Sequence, residues 1–349
     1  MSRLRSLGRT LLALAAPLLA ASPSPVNPDA SPEAAALLEY LYAVSGEHTL
    51  SGQHCNPLVG STRLASVAKH YDGIYPAVFG QDFGFSAPGT WDGINFRQNI
   101  VDEAIRRHDE GFIITLMWHA VRPIEDEPVE FRESIQGQLT DAQWRDLVTP
   151  GTHLNERWQA QVDAIAFFLR QLRDAGVPVL WRPYHEMNGG WFWWGKQPGD
   201  DGYVRLWRML YDRLTHFHGL DNLLWVYNTN EVKPGVDPHA AYFPGHDVVD
   251  VLATDVYSGE YTTENYETLL ALAEGKPIGL GEIGELPSAE LLRAQPQWSW
   301  FMLWYEPAGD RETRAHRRAV YASEAVLNLH ELPWATVPAK PTIHHPVLR

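Results

Sequence analysis

Residues 177–191 read Val177-Pro178-Val179-Leu180-Trp181-Arg182-Pro183-Tyr184-His185-Glu186-Met187-Asn188-Gly189-Gly190-Trp191, an apolar run that stops abruptly in a polar, reactive segment. A short apolar run bounded by turn residues reads as a buried strand. The amphipathic stretch before it, 157–175, reads as the helix that leads into it. Similar strand-like runs lie at 49–53, 77–81, 112–118, 223–228, 248–257, 277–281 and 298–304, with helical patterns at 96–108, 204–216 and 264–273 between them. Eight strands alternating with helices predict a single α/β domain, a (β/α)8 TIM barrel. An open doubly wound sheet is the alternative.

In such a barrel the chemistry gathers at the C-terminal ends of the strands. The residues there are His54, Asp82, His119, His185-Glu186, Asn228, Tyr257, Glu282 and Trp304, in strand order. Chance would spread reactive types more evenly along the chain. The connection over 120–156 is longer than an ordinary βα loop and is expected to build a cleft wall.

Composition narrows what such a cleft could take. Among 349 residues, 28 basic and 43 acidic side chains leave a net charge of −15, which repels nucleic acid and suits a neutral substrate. Fourteen tryptophans exceed ordinary usage; their flat faces suit sugar rings, although core filling accounts for about half of them. The single cysteine, Cys55, rules out an intramolecular disulfide or a multi-cysteine zinc site and reads as a small buried residue.

At the N-terminus, Arg3, Arg5 and Arg9 precede an apolar run to Ala21, the layout of a cleavable signal peptide over 1–21. The expected location is therefore secreted or periplasmic. The run is too short to span a membrane. Residues 22–30 read as a Pro/Ser-rich linker, 31–332 as the catalytic domain and 333–349 as a Pro-rich tail. Ser31-Pro32 is placed to cap the first helix. A monomer without cofactor is the default expectation.

Two segments carry the chemistry. One is Arg182-Pro183-Tyr184-His185-Glu186, set against Trp191-Phe192-Trp193-Trp194; the other is Gly279-Leu280-Gly281-Glu282-Ile283-Gly284-Glu285. A carboxyl held beside aromatic walls resists ionisation and can donate a proton. A second carboxyl on a facing strand can attack, and glycoside hydrolysis needs such a pair. Glu285 competes for the second role but is expected to face solvent. The structural alternative for Glu186 is a capping or salt-bridging carboxylate paired with Arg182. The spacing of Gly279, Gly281 and Gly284 imitates a dinucleotide site, yet Glu282 and Glu285 would repel a pyrophosphate and Pro287 stands where a helix should open. Gly189 stands where a zinc-binding His-Glu motif needs its second histidine, so no metal is expected.

These segments resemble glycoside hydrolase family 26, whose best-known members are β-mannanases, and the likeness runs from about Ser51 to Trp304. It rests on Arg182-Pro183-x-His185-Glu186-Met187-Asn188-Gly189, Gly281-Glu282-x-Gly284 with Gly in place of the usual Thr, Asp255-x-Tyr257, Trp118-His119 and Trp304. The resemblance implies a retaining enzyme cutting β-1,4 linkages in mannan, galactomannan or glucomannan, with Glu186 as acid/base and Glu282 as nucleophile. Their carboxyls would then stand about 5–5.5 Å apart. It also implies that Tyr257 bonds Glu282, that Trp304 and Trp191 line the sugar site, and that His119, His185 and Asp255 contact sugar hydroxyls. Arg182 belongs to the same substrate-binding set; Gln53, His54 and Asp82 are weaker candidates. A mixed-linkage β-glucanase or a β-1,3-xylanase is the nearest alternative, and a non-catalytic carbohydrate-binding barrel is the alternative from another class.

Overall fold

The computed structural model describes residues 23–56, 64, 73–304 and 314–335. The expected signal peptide and residues 336–349 lie outside the described residues. Strand 1 comes in two pieces, Thr49–Leu50 and Gly52–His54. Strands 2 to 8 are Val78–Phe83, Ile113–Trp118, Val179–Pro183, Leu223–Asn230, Val251–Val256, Ile278–Ile283 and Trp298–Leu303. All pair in parallel and in sequence order, and strand 8 closes on strand 1 through Leu50 opposite Trp300 and Gln53 opposite Leu303. The sheet is therefore the expected closed barrel rather than an open one. Gln53 helps to seal this seam, its Nε2 donating to the Leu303 carbonyl at 2.9 Å.

The strands are buried along nearly their whole length, which is why they read as continuous apolar runs instead of alternating ones. Eight of the 14 tryptophans are fully enclosed, among them Trp118, Trp181, Trp225 and Trp300. The tryptophan excess is thus largely a core property. Trp91 and Trp334 are exposed, Trp191 and Trp304 half-buried.

The first helix, Pro32–Val44, starts as expected: Ser31 Oγ accepts from the Ala34 amide at 3.2 Å with Pro32 in the first turn. The stretch expected to be a linker is in part built into the domain. The Val26 amide donates to Asp250 at 2.7 Å and the Asn27 side chain to the Leu220 carbonyl at 3.0 Å. These anchors lie beneath the N-terminal ends of strands 5 and 6, so the ordered chain begins ahead of residue 31. At the other end Trp334, inside the stretch read as a tail, donates to the Gly111 carbonyl at 3.0 Å. Cys55 is buried. Among the described residues no helix is long and apolar enough to cross a membrane.

The long connection after strand 3 holds a helix, Asp141–Val148, with a reciprocal cap between Thr140 and Gln143. The helix His153–Asp174 then begins earlier than the expected 157. The connection is fastened to the segment after strand 4: Trp193 donates from its indole to the Ala120 carbonyl at 2.7 Å and from its amide to the Ile135 carbonyl at 3.1 Å. Wall and aromatic cluster form one packed unit.

Candidate active site

Glu186 lies just past strand 4, on a backbone that turns sharply. Tyr184 and Glu186 take φ of 48° and 54°, in the left-handed region. The Glu186 amide donates to the Asn228 carbonyl at 2.7 Å, which ties the turn to strand 5. Its carboxyl accepts from Trp191 Nε1 at 2.6 Å and Asn230 Nδ2 at 2.6 Å. Burial, followed by repulsion from Glu282, pushes the Glu186 carboxyl up to about 7, while the two hydrogen bonds pull the other way. Arg182 does not pair with Glu186, so the salt-bridge alternative fails.

Arg182 holds Glu282 instead. Its Nη2 donates to Glu282 Oε1 at 2.9 Å, its Nη1 donates to Asn228 Oδ1 at 2.9 Å, and the guanidinium is buried. Tyr257 donates its hydroxyl to the other oxygen, Oε2, at 2.6 Å, the contact the resemblance implied. Burial, then the charge on Glu282, drives the Tyr257 phenol well above its usual value, so it remains a donor. Both Glu282 oxygens are thereby oriented, and the guanidinium offsets the cost of burying a charge.

A strand irregularity sets this geometry. Between strands 6 and 7 the register slips after Thr254, so that Asp255 stands opposite Glu282 and Gly281 is skipped. A Cβ at Gly281 would collide with Asn228 Oδ1 and Arg182 Nη1. The glycine that departs from the family's usual threonine thus makes room for the Arg182–Asn228 pair that orients Glu282.

Asp255 corrects an expectation. It has no exposed surface, and its Oδ1 accepts from Asn228 Nδ2 at 2.7 Å. It therefore lies beneath the site and acts through Asn228 and Arg182 rather than on a sugar hydroxyl. Burial, then the charges of Glu282 and Glu186, raise its carboxyl well above the ordinary value. Arg182, read as substrate-binding, is likewise an enclosed partner of the carboxylates.

The two histidines lie against one another, ring centres 4.8 Å apart. His119 Nδ1 pairs with Asp82 at 2.6 Å, which gives the weaker candidate Asp82 a clear positional role. Burial opposes charge on His119, but the Asp82 carboxylate outweighs it and the imidazole is raised. His185, with Nε2 3.7 Å from Glu282 Oε1, is lowered well below its usual value by burial, His119 and Arg182, and is neutral. Trp304 stacks on His54 with centroids 3.7 Å apart and planes 22° from parallel, and it keeps part of its surface open. Glu285 is half-exposed, three residues past Glu282, and lies beside Gly259.

His185, Glu186 and Asp255 bring potential ligand atoms within 4.8 Å of one another. Trp191 and Asn230 already donate to Glu186, and Arg182 supplies a positive charge beside Asp255, 3.7 Å from Oδ1. The donor set is arranged for carboxyl chemistry, and a cation would have to displace it. The sequence reading missed Asn230, which bonds Glu186 directly. The only signal was polarity, in Asn228-Thr229-Asn230-Glu231 at the end of strand 5.

The sequence model of glycosyl hydrolase family 26 matches residues 26–331. The chain belongs to this family. Its (β/α)8 barrel is the fold expected of a family 26 member. GH26A from Muricauda sp. superposes with a TM-score of 0.84 at 43% identity, over 88% of this chain and all of that one. A β-mannanase from a symbiotic protist of the termite Reticulitermes speratus, solved with a gluco-manno-oligosaccharide, gives a TM-score of 0.77 at 29% identity, covering 89% of this chain and 97% of its own. A mannan endo-1,4-β-mannosidase of Thermothelomyces thermophilus is 34% identical over 318 residues, 88% of this chain and 62% of the relative. The chain spans only about half to three fifths of the length of the first curated relatives it matches.

Proposed function

We propose that this family 26 chain hydrolyses β-1,4 linkages in mannan-class polysaccharides with net retention. The observation that carries the mechanism is the contrast between two buried carboxyls. Glu186 is raised to about 7 and keeps its proton at mildly acidic pH, while Glu282 has both oxygens held by Arg182 and Tyr257. The names of the relatives support the mannan substrate.

Glu186 protonates the glycosidic oxygen as Glu282 attacks the anomeric carbon and the leaving sugar departs. Water then enters, Glu186 takes its proton, and the glycosyl–Glu282 ester is cleaved. Trp304 and Trp191 would line the reacting sugar, with His119 and the neutral His185 beside its hydroxyls. A polymeric substrate accords with export, which the Arg3-to-Ala21 segment supports.

The test is reducing-sugar release from β-mannan, mixed-linked β-glucan and β-1,3-xylan side by side, with the anomer of the first product followed by NMR. Preferential release from mannan with a β product supports the reading. An α product, or release only from glucan or xylan, defeats it.

The acid role makes a pH prediction. Activity requires protonated Glu186, so kcat/KM should fall as pH rises through about 7. Trp191 and Asn230 stabilise the ionised form, so Trp191→Phe or Asn230→Ala should shift this limb upward by about one unit. An unmoved limb in both variants would assign the ionisation to another group.

A further inference from the structure

Among the four tryptophans with open surface, Trp91, Trp191 and Trp304 follow strands 2, 4 and 8 on the catalytic side. Trp334 does not. It lies at the opposite end of the barrel, where Gly111 and Phe112 enter strand 3, and 42% of its surface is exposed. It is also three residues beyond the last position matched by the family model.

Trp334 borders a cavity of about 380 Å³ whose walls include Glu33, Leu37, His108, Asp109 and Phe112. That volume falls in the range of small-ligand pockets, roughly 300–1,000 Å³. The indole is held in place: its Nε1 donates to the Gly111 carbonyl at 3.0 Å, and the ring of Tyr40 meets it edge-on with centroids 4.6 Å apart. A fixed, half-open aromatic plate offers stacking area at little entropic cost. Around it stand two exposed carboxylates, Glu33 and Asp109, and a His108 imidazole that burial lowers and so leaves uncharged.

This combination selects its ligand class. The carboxylates repel phosphates, sulfates and acidic polysaccharides, and they accept hydrogen bonds from hydroxyl groups. The floor of Leu37 and Phe112 favours an apolar ring face. A neutral pyranose presents both, with axial C–H bonds on its face and hydroxyls around its edge.

We propose that this pocket is a second carbohydrate-binding site, which takes a stretch of neutral β-linked polysaccharide by stacking on Trp334 at the face opposite Glu186 and Glu282. It would hold the enzyme on its insoluble substrate while the cleft works elsewhere on the polymer. The identity of that polymer as mannan rests on the proposed function; the site itself does not.

The experiment uses the full chain. In a Glu282→Ala background, Trp334→Ala should lower retention on insoluble β-mannan at least fivefold, and Trp334→Phe should restore most of it. In the active chain, Trp334→Ala should slow release from insoluble mannan several-fold while leaving kcat/KM on short soluble manno-oligosaccharides within twofold. Unchanged retention and an unchanged insoluble rate overturn the site. Equal losses on short and insoluble substrates also overturn it, because Trp334 would then be holding the fold. If the parent neither cuts nor binds mannan, the substrate reading has failed, and the same retention assay on cellulose and β-1,3-xylan decides the pocket: no Trp334-dependent retention on either overturns it.

Discussion

Glu282→Ala should reduce turnover of mannan by roughly four to six orders of magnitude while leaving affinity for manno-oligosaccharides within a few-fold of the parent. The split arises because Glu282 forms its bond only along the reaction, whereas its ground-state partners are protein groups, Arg182 and Tyr257. The vacated volume gives a sharper readout. With an aryl β-mannoside that carries a good leaving group, azide can enter and attack the anomeric carbon from the face the carboxylate used, expelling the phenolate and giving an α-mannosyl azide. Chromatography or NMR of that product identifies Glu282 as the nucleophile. If Glu282→Ala keeps near-parental rates and Glu285→Ala loses them, the roles are reversed.

The second large effect is on stability as well as rate. Arg182→Met should destabilise the chain by about 3–5 kcal/mol, lowering Tm by roughly 4–8 °C, because Glu282 would remain buried without a counter-charge. Thermal unfolding followed by circular dichroism measures this. Adding Glu282→Gln to the same chain removes the stranded charge and should recover most of the loss, whereas no recovery would show that Arg182 stabilises by packing alone. Arg182→Lys keeps a charge but cannot serve Asn228 and Glu282 through one planar fork, so it should restore stability better than kcat.

How much of this was legible from the sequence differs between fold and site. The strands could be read because a fully enclosed parallel sheet leaves uninterrupted apolar runs, and each of the eight falls within a few residues of its expected place. Glu186 and Glu282 stood out because a carboxylate directly after such a run has few structural excuses. The supporting shell did not. Asn230 reaches Glu186 from 44 positions away in sequence, and nothing local distinguishes an asparagine that bonds a carboxyl from one that caps a strand. Asp255 is read as a sugar contact because it is polar and at a strand end; its burial under Asn228 is a property of the assembled barrel. The anchoring of Val26 and Asn27 was illegible for a related reason. The Pro/Ser composition of 22–30 argues for a tether, but the anchor at Asp250 lies 224 residues further along the chain.

The left-handed turn at Tyr184 and Glu186 bears on how the sequence can drift. A non-glycine residue held there costs on the order of 1 kcal/mol or more, and the cost is borne at the position proposed to carry the proton for catalysis. Glycine at 186 would relax the backbone and abolish the acid in a single step. On the proposed acid role, backbone ease and chemistry therefore make opposite demands at this one position, and the bonds from Trp191 and Asn230 to the carboxyl help to hold the glutamate there.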